Sequence, residues 1–244
     1  YQMKKYDFIS DTLYDSLVQT PIVLDFKKAS HNEGLAPYFR EYLRGEMKKW
    51  CSTKIKTDGS PYNLYTDGLK IYTTIDSRMQ TYAEEATKKH ISSLQNDFYR
   101  HWDGYDHAPF PEDMDSLQIE QVMELAIKRS VRYKRMKEQK KSKEEIEKKF
   151  NTKTEMQLFS WKGKIDTLLS PRDSILYSKY FLHSGLMSME PSNGHIKAYV
   201  GGINYENFQY DHVTSGKRQV GSTFKPFLYS LAIQEGYSPC YQVP

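Results

Sequence analysis

Ser222 and Lys225 stand three residues apart in Arg-Gln-Val-Gly-Ser-Thr-Phe-Lys-Pro, residues 218–226. A serine hydroxyl is a poor nucleophile until a base takes its proton. A lysine can be that base only when neutral, a state that burial or a nearby positive charge promotes. Pro226 cannot lie deep in a helix, where it would lose a hydrogen bond and clash with the preceding turn, so it belongs to the first turn. The helix therefore starts close to Ser222. Residues three apart on a helix share a face, which lets the lysine amine reach the hydroxyl. The free N–H groups of the helix start favour negative charge at the same spot. Gly221 lets the backbone approach a substrate carbonyl closely. Phe224, Phe227, Leu228, Leu231 and Ala232 are the predicted buried side, and Gly236 the stop. A bare S-x-x-K match is also what a helix-capping serine followed by an unrelated lysine looks like, so context must decide.

The elements that would position this pair lie upstream. Leu186–Met189 and residues 195–200 read as two strands. Between them Glu-Pro-Ser-Asn-Gly offers the fixed φ of Pro191 and the positive φ open to Gly194, the chemistry of a hairpin turn. Gly201-Gly202 allows close backbone approach after the second strand. Ser170-Pro171 opens a helix. Leu69, Ile71 and Thr73 alternate with polar neighbours as a strand does, and Asp76 then caps a helix with Met79, Tyr82, Ala83 and Ala86 on one side. Pro37 suits a first helical turn, and Phe39, Leu43, Met47 and Trp50 form a stripe behind it. Ser10 caps a helix carrying Leu13, Tyr14, Leu17 and Val18, which Pro21 stops, and residues 22–26 read as extended.

The chain has 244 residues, 27% of them charged, a net charge of +4 and a mean hydropathy of −0.76, with twenty tyrosines. This composition fits a folded chain and argues against nucleic acid as the partner. No run of about eighteen apolar residues occurs to span a membrane, and none of these residues is expected to act as a signal peptide. The chain opens on Tyr1 and ends on Pro244 without terminal signals, so it is expected to be a piece of a larger protein. Cys51 and Cys240 show no metal spacing and are expected to be unpaired, mostly buried thiols. His101 and His107, in an aromatic and irregular stretch over 91–111, lack ligand partners at helical spacing, and no metal site is expected there. Residues 116–150 form a heavily charged helical pattern. It reads as a solvated helical hairpin or, more sharply, as a basic arm that touches an anionic surface.

The context of the serine resembles one family. "RQVGSTFKP" is similar to the nucleophile motif of the class A penicillin-binding proteins, the bifunctional enzymes that build bacterial peptidoglycan. "GLMSMEPSNGHIKAYVGG" resembles the first hairpin of their transpeptidase domain. "DGLKIYTTIDSRMQTYAEEA" resembles the segment joining their two catalytic domains, and the opening resembles the exit from their glycosyltransferase domain. Residues 98–159 match less well and look like a lineage-specific insertion. The resemblance implies an α+β fold in three parts: a glycosyltransferase exit over 1–35, an inter-domain linker over 36–180, and a truncated start of a transpeptidase domain over 181–244.

It also implies a chemistry. Ser222 would be the nucleophile and Lys225 the general base of a D,D-transpeptidase that cross-links stem peptides ending in D-Ala-D-Ala and is trapped by beta-lactams. No metal or cofactor is implied. Envelope proteins would be further partners, and the setting would be the outer side of the cytoplasmic membrane, anchored by an upstream helix. The family's S-x-N and K-[TS]-G motifs, which follow the nucleophile, do not occur between Ser222 and Pro244, and Lys56 to Gly59, "KTDG", is no substitute. The strand that supplies the second oxyanion N–H is therefore missing, and the fragment alone is expected to be inactive. Two other readings compete: a non-catalytic module that positions catalytic domains or binds a partner, and a serine beta-lactamase or carboxypeptidase.

Overall fold

The computed structural model describes residues 1–21 and 34–242. The expected extended run over 22–26 lies outside the described residues. The chain divides into two compact units, Tyr1–Glu33 and Gly34–Pro244. In the first, α1 (Gln2–Lys5) is followed by α2 (Asp11–Gln19). Ser10 caps α2 as expected, its hydroxyl accepting from the Leu13 N–H at 3.3 Å.

The second unit begins with α3 (Pro37–Thr53) and α4 (Ser77–His101), with Pro37 in the first turn of α3 and Asp76 capping α4. The predicted strand at 69–74 does not form. These residues run extended beside the hairpin, held by the Thr74 hydroxyl to the Ile196 carbonyl (2.8 Å) and the Asp76 N–H to the Lys197 carbonyl (3.0 Å), without a ladder. The predicted irregular stretch at 91–111 is corrected too, since α4 continues to His101.

Next come α5 (Ser116–Arg129), α6 (Val131–Glu138) and α7 (Lys143–Asn151). The expected hairpin is three helices because Ser130 and Ser142 each start a new one, accepting from the N–H groups of Tyr133 and Glu145. Such side-chain caps replace the missing helical partners of a first turn. β1 (Thr154–Ser160) pairs antiparallel with β2 (Gly163–Leu169), from Thr154 opposite Leu169 to Ser160 opposite Gly163. α8 (Pro171–Lys179), capped by Ser170, leads to β3 (Leu186–Met189) and β4 (Ile196–Val200), the predicted hairpin, with a register shift at Ser188/Met189. Its turn closes as expected, with Gly194 at φ +71° and its N–H on the Glu190 carbonyl at 2.8 Å. A 3-10 turn (Gly221–Phe224) and α9 (Lys225–Gln234) complete an α+β chain with two separate two-stranded sheets among the described residues.

The core sits where α3 and α4 meet β4. Ala36, Tyr38, Phe39 and Tyr199 are buried together, with Leu43, Ile75, Ile196, Tyr205 and Val213 around them. Tyr38 lies so close to the chain after β4 that a Cβ on Gly201 would stand 2.7 Å from its ring, which explains the glycine pair. The Tyr38 hydroxyl donates to the Phe208 carbonyl at 2.5 Å. A second cluster sets Phe159 of β1 edge-on to Phe181 and Phe208, with ring centroids 5.1 and 5.4 Å apart. Met123 of α5 and Ile146 and Phe150 of α7 are also buried. Cys51 is buried, whereas Cys240 is exposed, against the expectation that both thiols would be mostly buried; it lies beyond α9, in a stretch whose described residues are all exposed.

Candidate active site

The path to Ser222 starts from the most buried strand. Tyr199 of β4 is 1% exposed, and its hydroxyl donates to Asp211 at 2.6 Å. Asp211 in turn accepts from the N–H groups of Val213 (2.9 Å) and Thr214 (3.3 Å). The His212 N–H donates to the Gly201 carbonyl at 2.8 Å, and the Tyr210 hydroxyl to the Ser215 carbonyl at 2.6 Å. Residues 201–215 are thus tied back onto the strand. At Gly216 a Cβ would stand 2.7 Å from the His212 carbonyl oxygen, and from there the chain leaves the surface.

The same region holds a histidine pair that the sequence reading did not single out. The rings of His183 and His212 stack at 5.0 Å and 15°, with Phe208 edge-on to His183 at 4.9 Å. The Nδ1 of His183 is buried without a hydrogen-bond partner. Burial, and then the neighbouring His212, push the His183 pKa down to about 4. Burial followed by the Arg218 charge lowers His212, against an opposing pull from Asp211. No periodicity or motif marks this pair, because the two residues meet only through the fold.

Ser222 sits in the 3-10 turn and Lys225 opens α9. Pro226 lies in the first turn of α9, as expected, and Gly221 takes φ +51°, a left-handed conformation that suits glycine. The Lys225 N–H donates to the Ser222 carbonyl, so the two residues are one turn apart. Both side chains are exposed, and no hydrogen bond joins the hydroxyl to the amine. The order and spacing of the pair are present, but its enclosure is not.

The predicted buried side of the helix is corrected for the same reason. Phe224, Phe227, Leu228 and Leu231 are all at least half exposed, because among the described elements only the adjoining 3-10 turn makes more than a slight contact with α9. Tyr229 and Ile233 on the other side are also apolar and exposed. A helix apolar all round is one built to be surrounded. Gly236 ends α9 as expected, at φ +91°. Among the described residues no three His, Cys, Asp or Glu side chains gather to hold a metal.

The family model described as the penicillin-binding protein middle domain matches residues 105–182. Penicillin-binding protein 1A of Rickettsia bellii is 29% identical over 252 residues, covering 95% of this chain and 30% of the relative. Penicillin-binding protein 1A of Haemophilus influenzae is 26% identical over 255 residues, covering 94% of this chain and 27% of the relative. The chain is similar to penicillin-binding proteins over nearly its whole length. Pseudomonas aeruginosa penicillin-binding protein 1A reaches 44% identity, over a stretch of 55 residues that makes up 22% of this chain and 7% of the relative. The crystal structure of penicillin-binding protein 1A from Haemophilus influenzae overlaps 97% of this chain and 36% of its own, at 22% identity and a TM-score of 0.46. The chain spans about three-tenths of the length of the curated relatives it matches. The family model takes in α5 to α7 and β1–β2, and so most of residues 98–159, which the sequence resemblance had left as an insertion.

Proposed function

We propose that this chain is part of a bifunctional peptidoglycan synthase and that Ser222 is the nucleophile of its D,D-transpeptidase. The observation that carries the reading is local: a glycine with positive φ, a serine in a tight turn, and a lysine and proline opening a helix apolar on every side. The relatives, named as penicillin-binding proteins over nearly the whole chain, support it.

In this reading the Ser222 Oγ attacks the carbonyl between two terminal D-alanines as Lys225 takes its proton. An ester forms at Oγ, and D-alanine leaves with a proton on its nitrogen. An amine from a second stem peptide then attacks the ester and restores the serine hydroxyl. Lys225 becomes a competent base only once covered, because burial is what favours a neutral amine. The apolar faces of α9 supply a place for that cover. Residues 181–244 would open the transpeptidase domain, residues 36–180 would link it to a glycosyltransferase, and residues 1–35 would be the exit from the latter. The work site would be the outer side of the cytoplasmic membrane. An upstream membrane anchor is part of the proposal; among the described residues no helix is long and apolar enough to cross a membrane.

The test uses the full-length protein and a fluorescent penicillin. Ser222→Ala is expected to abolish covalent labelling of the transpeptidase domain, while Lys225→Ala slows acylation by ~100-fold or more. Undiminished labelling in Ser222→Ala would remove the assignment.

A further inference from the structure

Residues 128–141 include eight Lys or Arg and one Glu, and the proposed acylation uses none of them. Lys128 pairs with Glu124 and Lys141 with Glu145. Arg129, Arg132, Lys134 and Arg135 have no ion pair among the described residues. A solvated helix surface normally interleaves charges of both signs, so an unpaired run of one sign invites a partner of the other.

Beside this run, α5 and α8 enclose a groove of about 550 Å³. Val122, Leu125, Ala126 and Arg129 form its α5 wall, spaced as one helical stripe. Ile175, Ser178 and Lys179 form its α8 wall. Arg129 and Lys179 each stand in the last turn of their helix, so the two cations mark one end of an apolar trough. Lys179 is half-buried, and burial, then the Arg129 charge, lower its pKa. The helix C-termini favour cations there, yet among the described residues neither head has a carboxylate partner. Leu125 remains 51% exposed at the lip.

We propose that this groove docks an acidic amphipathic helix of a partner protein. The partner's apolar stripe lies between α5 and α8, and its carboxylates meet Arg129 and Lys179. Helix-in-groove recognition needs this combination of a concave apolar floor and oriented charge. A bilayer fits less well: a flat headgroup layer would reach the two cations but would not enter the trough to cover Leu125 and Ile175. The proposal does not rest on Ser222 being a nucleophile.

The test is fluorescence anisotropy on the full-length protein in detergent. The probe is a labelled peptide of about 18 residues, with leucines at i, i+3, i+4 and i+7 and glutamates elsewhere. Saturable binding is expected. It should weaken ~10-fold or more in Arg129→Glu/Lys179→Glu and in Leu125→Asp, and ~3-fold in the milder Lys179→Gln. A scrambled peptide of equal charge should bind ~10-fold more weakly. Thermal melts confirm that each variant is folded. Three results overturn the proposal: no saturable binding to the unaltered protein, equal binding of the scrambled peptide, or binding indifferent to Leu125→Asp. Vesicles of phosphatidylglycerol that bind with the same dependence on Arg129 and Lys179, while the peptide does not, assign the surface to lipid instead.

Discussion

Burial lowers the pKa of both stacked imidazoles, His183 and His212, so each takes a proton less readily in the folded chain than in water. His183 has no partner for Nδ1, and the ring beside it is a second titratable group. The sign of the pH effect follows from its lowered pKa. Above about pH 6.5 both folded and unfolded chains carry a neutral His183. As pH falls from 6.5 towards about 4, the unfolded chain takes a proton that the folded chain refuses, so stability declines; below that both are protonated and the loss levels off. Allowing for partial exposure and solvent screening, the loss amounts to about 2 kcal/mol. Urea unfolding midpoints measured across this pH range should fall in the native chain and fall less in His183→Phe. An unchanged slope in the variant would locate the sensitivity elsewhere, with Asp211 and Arg218 the nearest charged neighbours.

At the scale of the element, α4 shows how a helix can bury the wrong-looking face. Gln80 and Gln95 are 0% exposed, while Met79 and Tyr82 point outward. Gln80 donates to the Tyr199 carbonyl (2.9 Å) and accepts from the Tyr199 N–H (2.7 Å). Gln95 does the same for the chain after α8, donating to the Tyr180 carbonyl (2.7 Å) and accepting from the Leu182 N–H (2.8 Å). Glu84 completes the row, accepting from the Gln80 amide and from the Ala36 N–H. Gln80→Leu would leave both backbone groups of Tyr199 buried and unpaired, at a cost of about 2–5 kcal/mol. A matching drop in the urea midpoint is the expected result. A drop under about 1 kcal/mol would mean that water replaces the glutamine.

This face was not legible in the sequence. Pattern reasoning puts apolar residues inside, and so selects Met79, Tyr82, Ala83 and Ala86. It has no access to the neighbour, and here the neighbour is bare backbone that only an amide can satisfy. The caps at Ser10, Asp76 and Ser170 were legible because they act within one turn. So was the β3–β4 hairpin, whose turn residues announce it. The β1–β2 hairpin was missed although Met156 and Leu158 alternate with the exposed Glu155 and Gln157, since the lysine-rich text before it drew the boundary too late. At the candidate site the order Gly-Ser-x-x-Lys-Pro was readable and its local geometry followed. The burial of α9 did not, because what covers a helix is a property of the surrounding fold.

Across the whole molecule, charge and burial are unevenly spread. The described core gathers around β4 and around the rings of Phe159, Phe181 and Phe208, whereas the positive run from Lys128 to Lys141 and the apolar α9 both face outward. The family match over 105–182 takes in the charged helices α5 to α7. Two kinds of uncovered surface thus coexist in one chain, one apolar and close to Ser222, the other basic and beside the α5–α8 trough. They call for different covers, and the experiments on Ser222 and on Arg129 and Lys179 separate them.

The twin glutamine clamps have a further consequence. Fifteen residues of helix separate them, about 22 Å along the axis. The amide hydrogens of Tyr199 and Leu182 are held by side chains of a single rod, and not by strands of a sheet. In heavy water they should therefore exchange together, on the timescale at which α4 opens, even though they belong to different segments of the chain.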